Sequence, residues 1–189
     1  MDRSVGRILK TLEELGLADN TIVVFTSDHG DMAGSHGKLY KSAPYEESVR
    51  VPLLIRAPGM RRERRIVKGR VSHIDLAPTL MDLLGGPRHK LPGKSLMPLV
   101  PQGGPSREHV IVEKGAFRTP SCWRTVVSPD GWKLTIFPVG GGSLFNLEKD
   151  PLEKNDLYGK GEHKDVVGRL TARLRKWQER IDDPVPLKG

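Results

Sequence analysis

Residues 21–26 read Thr-Ile-Val-Val-Phe-Thr, a continuous run of β-branched and aromatic residues between polar neighbours. Such a run is typical of a strand that is buried on both faces of a parallel sheet. Before it, residues 5–15 carry apolar side chains at steps of three and four, which predicts a helix that ends near Gly16. A helix followed by a buried strand indicates an α/β fold.

The strand is followed by residues 27–44, which are rich in Gly, His, Asp and Lys and are expected to form a long loop. Open α/β sheets bind their ligands at the carboxyl ends of strands, so this loop is where chemistry is expected. A second apolar run at 51–55 predicts another strand, with Pro52 at its beginning or on an edge because proline has no amide donor. Residues 75–84 return to helical spacing and stop at Gly85.

Beyond residue 105 the pattern changes to short strands separated by turns, which predicts a small antiparallel sheet. Residues 129–131 (Pro-Asp-Gly) predict a hairpin turn, because Gly accepts a positive φ. The strands are expected at residues 109–114, 123–128, 132–138 and 143–147. Residues 164–181 predict a helix that lies across this sheet, with one apolar stripe formed by Val167, Leu170, Leu174, Trp177 and Ile181. The predicted division is therefore 1–105 and 106–189.

The composition of the 189 residues, 37% hydrophobic and 29% charged, is that of a globular protein. The net charge of +8 favours anionic substrates. Nucleic acid is not expected, because the basic run at 61–65 lacks interleaved aromatic residues and no nucleic-acid-binding motif is present. No apolar run is long enough to cross a membrane, and no signal-peptide core is visible, so no membrane partner is expected and localisation is left open. Cys122 is the only cysteine, which excludes an intrachain disulfide.

A series of motifs runs along the chain in a fixed order: residues 26–32 (Thr-Ser-Asp-His-Gly-Asp-Met), 34–37 (Gly-Ser-His-Gly), Lys41, 45–52 (Tyr-Glu-Glu-Ser-Val-Arg-Val-Pro) and 144–157. This series resembles the sulfatase family and covers nearly the whole chain. The resemblance implies the C-terminal part of an alkaline-phosphatase-like α/β sandwich, with a small antiparallel β-sheet subdomain and a terminal helix. It also implies a sulfuric-ester hydrolase that acts on an anionic sulfate ester.

The resemblance assigns a role to four residues. Asp28 and His29 are the expected ligands of a divalent cation, with Ca²⁺ as the expected ion. Because Ca²⁺ prefers oxygen ligands, Asp28 fits well and His29 is less typical. Spacing alone would make the two a turn former and a hydrogen-bonded loop histidine. Lys41 is expected to bind the sulfate oxygens, with Lys38 or a solvated loop lysine as alternatives. His36 is expected to bind substrate or to protonate the leaving alcohol, or else to structure the loop.

The sequence lacks other parts of a sulfatase site. The family needs an Asp-Asp pair near the N-terminus and a Cys-x-Pro-x-Arg segment, whose cysteine is oxidised to the formylglycine nucleophile, and neither is present. Cys122 is followed by Trp and Arg and is interpreted as an ordinary buried thiol. Glu46 and Glu47 resemble a catalytic pair, but the family resemblance favours a structural role.

We therefore expect the chain alone to be inactive and to need a missing N-terminal half or a partner chain. One alternative is a non-catalytic remnant or binding module that folds without turnover. Another is a phosphodiesterase or phosphomutase of the same superfamily, which would need further histidine and aspartate ligands for a second metal.

Overall fold

The computed structural model describes residues 1–60, 66–67, 69–87, 90–99, 109–115 and 122–187. The chain forms two compact units. The first comprises Met1–Asp28 and Val51–Arg65, and the second comprises His29–Arg50 and Ile66–Gly189. The basic run at 61–65 lies outside the described residues, as does residue 105. The division predicted at residue 105 therefore stays a prediction.

The first unit contains a helix and a two-stranded sheet. Helix α1 spans Asp2–Glu14, as the apolar spacing predicts, and Gly16 follows it with φ +67°. Strand β1 (Val23–Thr26) pairs with β2 (Leu53–Arg56). Pro52 precedes β2, so its missing amide donor costs no ladder bond.

Two expectations for the first unit are wrong. The strand predicted at 21–26 is present, but β1 pairs with β2 in antiparallel orientation, so the predicted parallel sheet is not formed among the described residues. All four residues of β1 are half-buried rather than fully buried. An apolar run reports that side chains avoid water, but it does not report the direction of the neighbouring strand. In the apolar stripe of residues 5–15, Val5, Leu9 and Leu12 are half-buried, whereas Ile8 at 63% and Leu15 at 65% are exposed.

The second unit is built around a four-stranded antiparallel sheet in the order β3-β4-β5-β6. Its strands are β3 (Val110–Lys114), β4 (Trp123–Val127), β5 (Trp132–Ile136) and β6 (Gly142–Asn146). The predicted hairpin joins β4 to β5, and Val126 lies opposite Leu134. Gly131 closes the turn with φ +84°, and its N–H donates to the Ser128 carbonyl at 3.1 Å. The antiparallel subdomain is thus confirmed.

The α-helices of this unit within the described residues are α2 (Glu46–Val49), α3 (Leu76–Leu83) and α4 (Lys164–Ile181). Before α3, the fully buried Asp75 accepts hydrogen bonds from the N–H groups of Ser72 at 3.0 Å and Lys94 at 2.9 Å. This carboxylate therefore ties the residues after α3 to the start of that helix. None of the described helices is both long enough and apolar enough to span a bilayer.

Helix α4 packs on one face of the sheet, as expected. The core comprises Val126, Leu134, Ile136, Leu144, Leu170 and Leu174. Ile181 was expected in the same stripe, and this is wrong, because it is 44% exposed. The chain turns at Asp182, with φ +53°, and the buried Gln178 side chain donates to the Val185 carbonyl at 2.6 Å. The turn back after the helix therefore gives Gln178 its partners and leaves Ile181 in water.

The opposite face of the sheet is polar and aromatic. Since side chains alternate along a strand, the residues beside the core positions point the other way. We call the set formed by Lys114, Trp123, Thr125, Lys133, Thr135 and Phe145 the loop face. The hydroxyls of Thr125 and Thr135 lie 2.7 Å apart, so these buried polar groups satisfy each other.

The segment after α4 is fastened to β4 by an ion pair. Arg124 donates from Nε to Asp183 Oδ2 and from Nη2 to Asp183 Oδ1, both at 2.8 Å. The hydrogen bond from Arg124 lowers the pKa of the Asp183 carboxyl, and the bond from Gln178 adds to this. Both side chains of the pair are almost completely buried.

We predict that Asp183→Asn lowers the free energy of unfolding by about 1.5–3 kcal/mol at neutral pH, the usual range for hydrogen bonds to charged groups. A carboxyl with a lowered folded pKa stabilises above its unfolded value, near 3.9, and loses that contribution as pH falls through the folded value. The difference between the variant and the natural chain should therefore shrink in acid. Urea unfolding at pH 7 and pH 3.5 measures both, and an equal difference at the two pH values would contradict the assignment.

Candidate active site

Residues 29–50, which we call the site loop, carry three of the four predicted site residues. Gly30 fixes its beginning, because the Gly30 N–H donates to the Ser48 carbonyl at 2.8 Å. A Cβ at this position would lie 1.9 Å from the Glu47 carbonyl oxygen. Only glycine allows this approach, so the loop doubles back onto the start of α2.

His29 and Lys41 meet across this loop. The Lys41 ammonium lies 2.7 Å from His29 Nε2, and His29 Nδ1 lies 2.7 Å from the Gly30 carbonyl oxygen. A carbonyl oxygen only accepts, so Nδ1 carries the proton and donates to Gly30. Nε2 therefore presents its lone pair, which accepts a hydrogen bond from Lys41.

His36 stacks on Tyr45. Their ring centroids are 3.8 Å apart, and the rings are nearly parallel at 4°. His36 Nε2 lies 3.8 Å from Glu47 Oε1, which is an ion pair when the histidine is protonated. Burial raises the pKa of the Tyr45 hydroxyl, and the carboxylates of Glu153, Asp156 and Glu47 raise it further. Tyr45 therefore stays protonated and serves as a stacking partner.

Ser42, the residue after Lys41, is held at three points. Its N–H donates to Ser48 Oγ at 3.2 Å. Its carbonyl accepts one hydrogen bond from Trp123 Nε1 and one from Lys114 Nζ, both at 3.3 Å. Ser42 has φ +89°, a conformation that costs energy for a residue with a Cβ. These bonds offset that cost and fix the backbone next to Lys41.

A buried lysine also holds the site loop, and the sequence interpretation missed it. Lys133 is 1% exposed, and its ammonium lies 2.9 Å from both Glu46 Oε1 and Glu153 Oε1. Glu153 Oε2 in turn accepts a hydrogen bond from the Glu46 N–H at 2.6 Å. A structural role was expected for Glu46, and it has one here. We call these three residues the lysine–carboxylate cluster.

The other candidates are placed as follows. Asp28 ends the first unit, is exposed, and accepts a hydrogen bond from Ser27 Oγ at 3.4 Å. Asp31 accepts from the Ala33 N–H at 2.9 Å, and Lys38 is exposed. Cys122 is buried, as expected, and its thiol donates to the Gly115 carbonyl at 3.4 Å. Within the described ranges, no three or more His, Cys, Asp or Glu side chains are grouped so that they could hold a metal ion.

Comparisons with known proteins give a consistent set of matches. A family model described as Sulfatase matches residues 1–86. Arylsulfatase K of Gallus gallus is 36% identical over 169 residues, which are 82% of this chain and 31% of that protein. A solved complex with the substrate D-glucosamine-2-N,6-O-disulfate is 30% identical at a TM-score of 0.81, covering 98% of this chain and 39% of the other. A phosphonate monoester hydrolase from Silicibacter pomeroyi is 25% identical at a TM-score of 0.82, covering 97% and 40%.

The two solved structures match nearly all of this chain, which has the fold expected of a hydrolase of the alkaline-phosphatase superfamily. Within that superfamily, the chain belongs to the sulfatase family. Its architecture corresponds to the C-terminal portion of sulfatase structures, as the motif order indicates. The chain spans about a third of the length of the curated relative quoted above.

We predict that Gly30→Ala lowers the free energy of unfolding by about 1–3 kcal/mol, the usual cost of overpacking. The new Cβ would overlap the Glu47 carbonyl and break the bond to Ser48, so the loop should move and His29 should separate from Lys41. Urea unfolding measures the first effect, and long-range ¹H–¹⁵N spectra of the His29 ring measure the second.

The control is Gly168→Ala in α4, where a Cβ has open space. Alanine is the better helix former, so this variant should be more stable by about 0.5–1 kcal/mol. A Gly30→Ala protein that is as stable as the natural chain would contradict the close approach.

Proposed function

We propose that this chain carries part of the metal and sulfate site of a sulfuric-ester hydrolase. In this site Lys41 binds the sulfate oxygens, and Asp28 and His29 are ligands of a divalent cation. The observation that carries the proposal is the contact of Lys41 Nζ with His29 Nε2 at 2.7 Å. Two residues that the family resemblance assigns to one site are in hydrogen-bonding contact within one unit.

The lysine suits a tetrahedral anion. Its ammonium is a compact point charge with three donors, and the charge of a sulfate ester shifts towards the leaving oxygen as the S–O bond breaks. Lys41 is exposed, so its ammonium is accessible to an incoming ester. Lys38 is also exposed, but it is Lys41 that donates the hydrogen bond to His29.

The histidine fits a metal ligand. Histidines that bind metals almost always donate their other ring N–H to a carbonyl, a carboxylate or water, and His29 donates from Nδ1 to the Gly30 carbonyl. Its Nε2 lone pair is then the ligand atom, and Asp28, the preceding residue, offers carboxylate oxygens. Membership of the sulfatase family implies a divalent cation, and we propose Ca²⁺, for which an aspartate is a suitable ligand. When bound, the cation would supply positive charge at the sulfate.

His36 is proposed as the residue that donates a proton to the leaving alcohol or binds the substrate. Glu47 Oε1 lies 3.8 Å from its Nε2, and the stack on Tyr45 fixes the plane of the ring. A protonated imidazole held in this way is a suitable general acid.

A further segment must supply the formylglycine nucleophile and the Asp-Asp pair, since this sequence contains no Cys-x-Pro-x-Arg. We propose that it is an N-terminal half or a partner chain. Exposed apolar side chains support this, because Ile8 in α1 and Leu15 directly after that helix are open to water.

Two alternatives have specific support. Phosphonate monoester hydrolases match this chain over nearly its whole length, so a tetrahedral phosphoryl group is the second candidate for Lys41. A non-catalytic binding role is the third, because the nucleophile segment is absent from the sequence. Binding titrations with sulfate and with phenyl phosphonate, together with turnover assays, distinguish the three.

We predict that the purified chain hydrolyses no aryl sulfate, with or without Ca²⁺, because no residue here offers the covalent route. It should nevertheless bind inorganic sulfate in the presence of Ca²⁺, since substrate binding can persist when transition-state groups are lost. NMR titration of the His29 and His36 ring signals with sodium sulfate measures the binding.

The matched controls are Lys41→Ala and Lys38→Ala, two exposed lysines three residues apart. Sulfate binding should weaken by about 10-fold or more in the first and stay unchanged in the second, since the loss of one charge-assisted hydrogen bond costs about 1.5–3 kcal/mol. Loss of binding in Lys38→Ala alone would move the assignment to Lys38. Ca²⁺-dependent turnover that Asp28→Ala abolishes would overturn the prediction of an inactive chain.

A further inference from the structure

We propose that the loop face of the C-terminal sheet positions the site loop, and that Lys133 and Glu153 are positioning residues for Lys41 and His36. The proposal rests on the proposed function in one respect, namely that Lys41 binds the sulfate oxygens. Neither Lys133 nor Glu153 is expected to touch substrate, because each side chain is 1% exposed.

The ammonium of Lys133 is a buried charge that needs partners. An ammonium removed from water must be paired and hydrogen-bonded, or its burial is strongly unfavourable. Lys133 meets that demand only by holding Glu46 and Glu153 at the same time, at 2.9 Å each. Glu46 lies 87 residues earlier in the chain, so the pairing brings the site loop onto β5.

Glu153 holds the site loop from an unfavourable backbone conformation. Its backbone has φ +50°, a left-handed conformation that favours glycine and disfavours a long side chain. A strained residue of this kind persists only where the surroundings require it. The side chain accounts for the requirement, because its two oxygens bind Lys133 Nζ and the Glu46 N–H. Glu153 is therefore held by both a charge and a backbone donor of the site loop.

Tyr45 connects Glu46 to His36. Tyr45 directly precedes Glu46, so fixing the Glu46 backbone also fixes the place of the Tyr45 ring. That ring stacks on His36 and lies 6.1 Å, centroid to centroid, from Phe145 on the loop face. The orientation of the His36 ring thus depends on contacts that originate in the sheet.

The loop face also holds the backbone next to Lys41. Its neighbour Ser42 accepts hydrogen bonds from Lys114 and Trp123, which are also members of the loop face. Ser48, which follows the cluster residue Glu46 in α2, accepts the Ser42 N–H on Oγ. The sheet therefore fixes the backbone at Lys41 both directly and through α2.

The test uses the full chain and a double variant, Lys133→Met/Glu153→Met. Both charges are removed together because Lys133→Met alone would leave the Glu153 carboxylate buried without its ammonium partner, whereas replacing a buried pair by apolar residues is often tolerated. The matched control is Glu148→Met/Lys149→Met, which removes one exposed charge of each sign just after β6.

Three quantities are measured in each protein. Amide hydrogen exchange in β4 and β5 reports whether the sheet remains folded. The ring-proton shifts of His36 report the stack on Tyr45, because a stacked ring moves them upfield. NMR titration with sodium sulfate in the presence of Ca²⁺ reports the site.

We expect the double variant to keep the exchange protection of the sheet, to lose the upfield shift of His36, and to bind sulfate more weakly by on the order of 10-fold, as is usual when supporting residues of a site are removed. The control should match the natural chain in all three. A double variant that keeps both the His36 shift and the sulfate affinity overturns the proposal.

Glu46→Gln is a second variant, and it changes the site loop and leaves the sheet residues unchanged. Because Lys133 and Glu153 still pair in this variant, the sheet should stay folded. The variant should change the His36 shift in the same direction but less, because the Glu46 N–H still donates to Glu153. An unchanged shift would overturn the proposal even if the double variant failed to fold. If Lys41→Ala leaves sulfate binding intact, the proposed function fails, while the His36 shift still decides whether the sheet positions the loop.

Discussion

A lysine ammonium without access to water is the constraint on which the second unit depends. Lys133 sits in the middle of the sheet, and the structure meets its charge by bringing together residues from three distant parts of the chain. Burial raises the pKa of the Glu153 carboxyl, although Lys133 and the Glu46 N–H oppose the effect. A carboxyl whose folded pKa is raised binds its proton more tightly when folded, so its contribution to stability falls as pH rises from the unfolded to the folded value. The attraction of Lys133 limits that loss.

This constraint explains why the sheet is covered on both faces. Antiparallel sheets commonly place one face on a core and leave the other in water, which gives alternating apolar and polar residues. Strand β5 shows the alternation as Trp132-Lys133-Leu134-Thr135-Ile136, and its odd-numbered residues would be expected in solvent. Here they are buried, because the site loop provides partners for the lysine and Thr125 provides one for Thr135. The polar face is therefore an internal interface that holds a loop.

The parts of the structure that the sequence predicted are those with local causes. The hairpin between β4 and β5 follows from Gly131, and α4 from its apolar spacing, so both were found within a few residues of their observed bounds. The orientation of β1 could not be read, because strand direction depends on a partner, β2, that lies some thirty residues further along the chain. The burial of Gln178 in place of Ile181 depends on the turn at Asp182, which no helical periodicity contains.

The same distinction applies to the site. His29, His36 and Lys41 could be singled out because family motifs surround them, and their roles remain proposals. The structure places Lys41 in contact with His29. Lys133 could not be singled out from the sequence, because a lysine that alternates with apolar residues along a strand gives no sign of the side chains that pair with it. The one available signal was the pair of glutamates at 46 and 47, which are acidic residues in a loop that we propose binds an anion. Acidic side chains there would repel a sulfate unless something neutralised them, and Lys133 does so for Glu46.

The hydrogen bond from Lys41 to His29 competes with a cation for the same nitrogen of the proposed site. Nε2 has one lone pair, which accepts the hydrogen bond from the Lys41 ammonium, so a cation could bind at Nε2 only if Lys41 withdrew. The backbone of the next residue is fixed by Ser48, Lys114 and Trp123, which leaves the flexible side chain of Lys41 as the part that can move. A bound cation would add a second positive charge near the ammonium, and the two charges would favour an anion there. On the proposed assignment, rigid support of the backbone and freedom of one exposed side chain would let His29 hold the cation while Lys41 binds the sulfate oxygens.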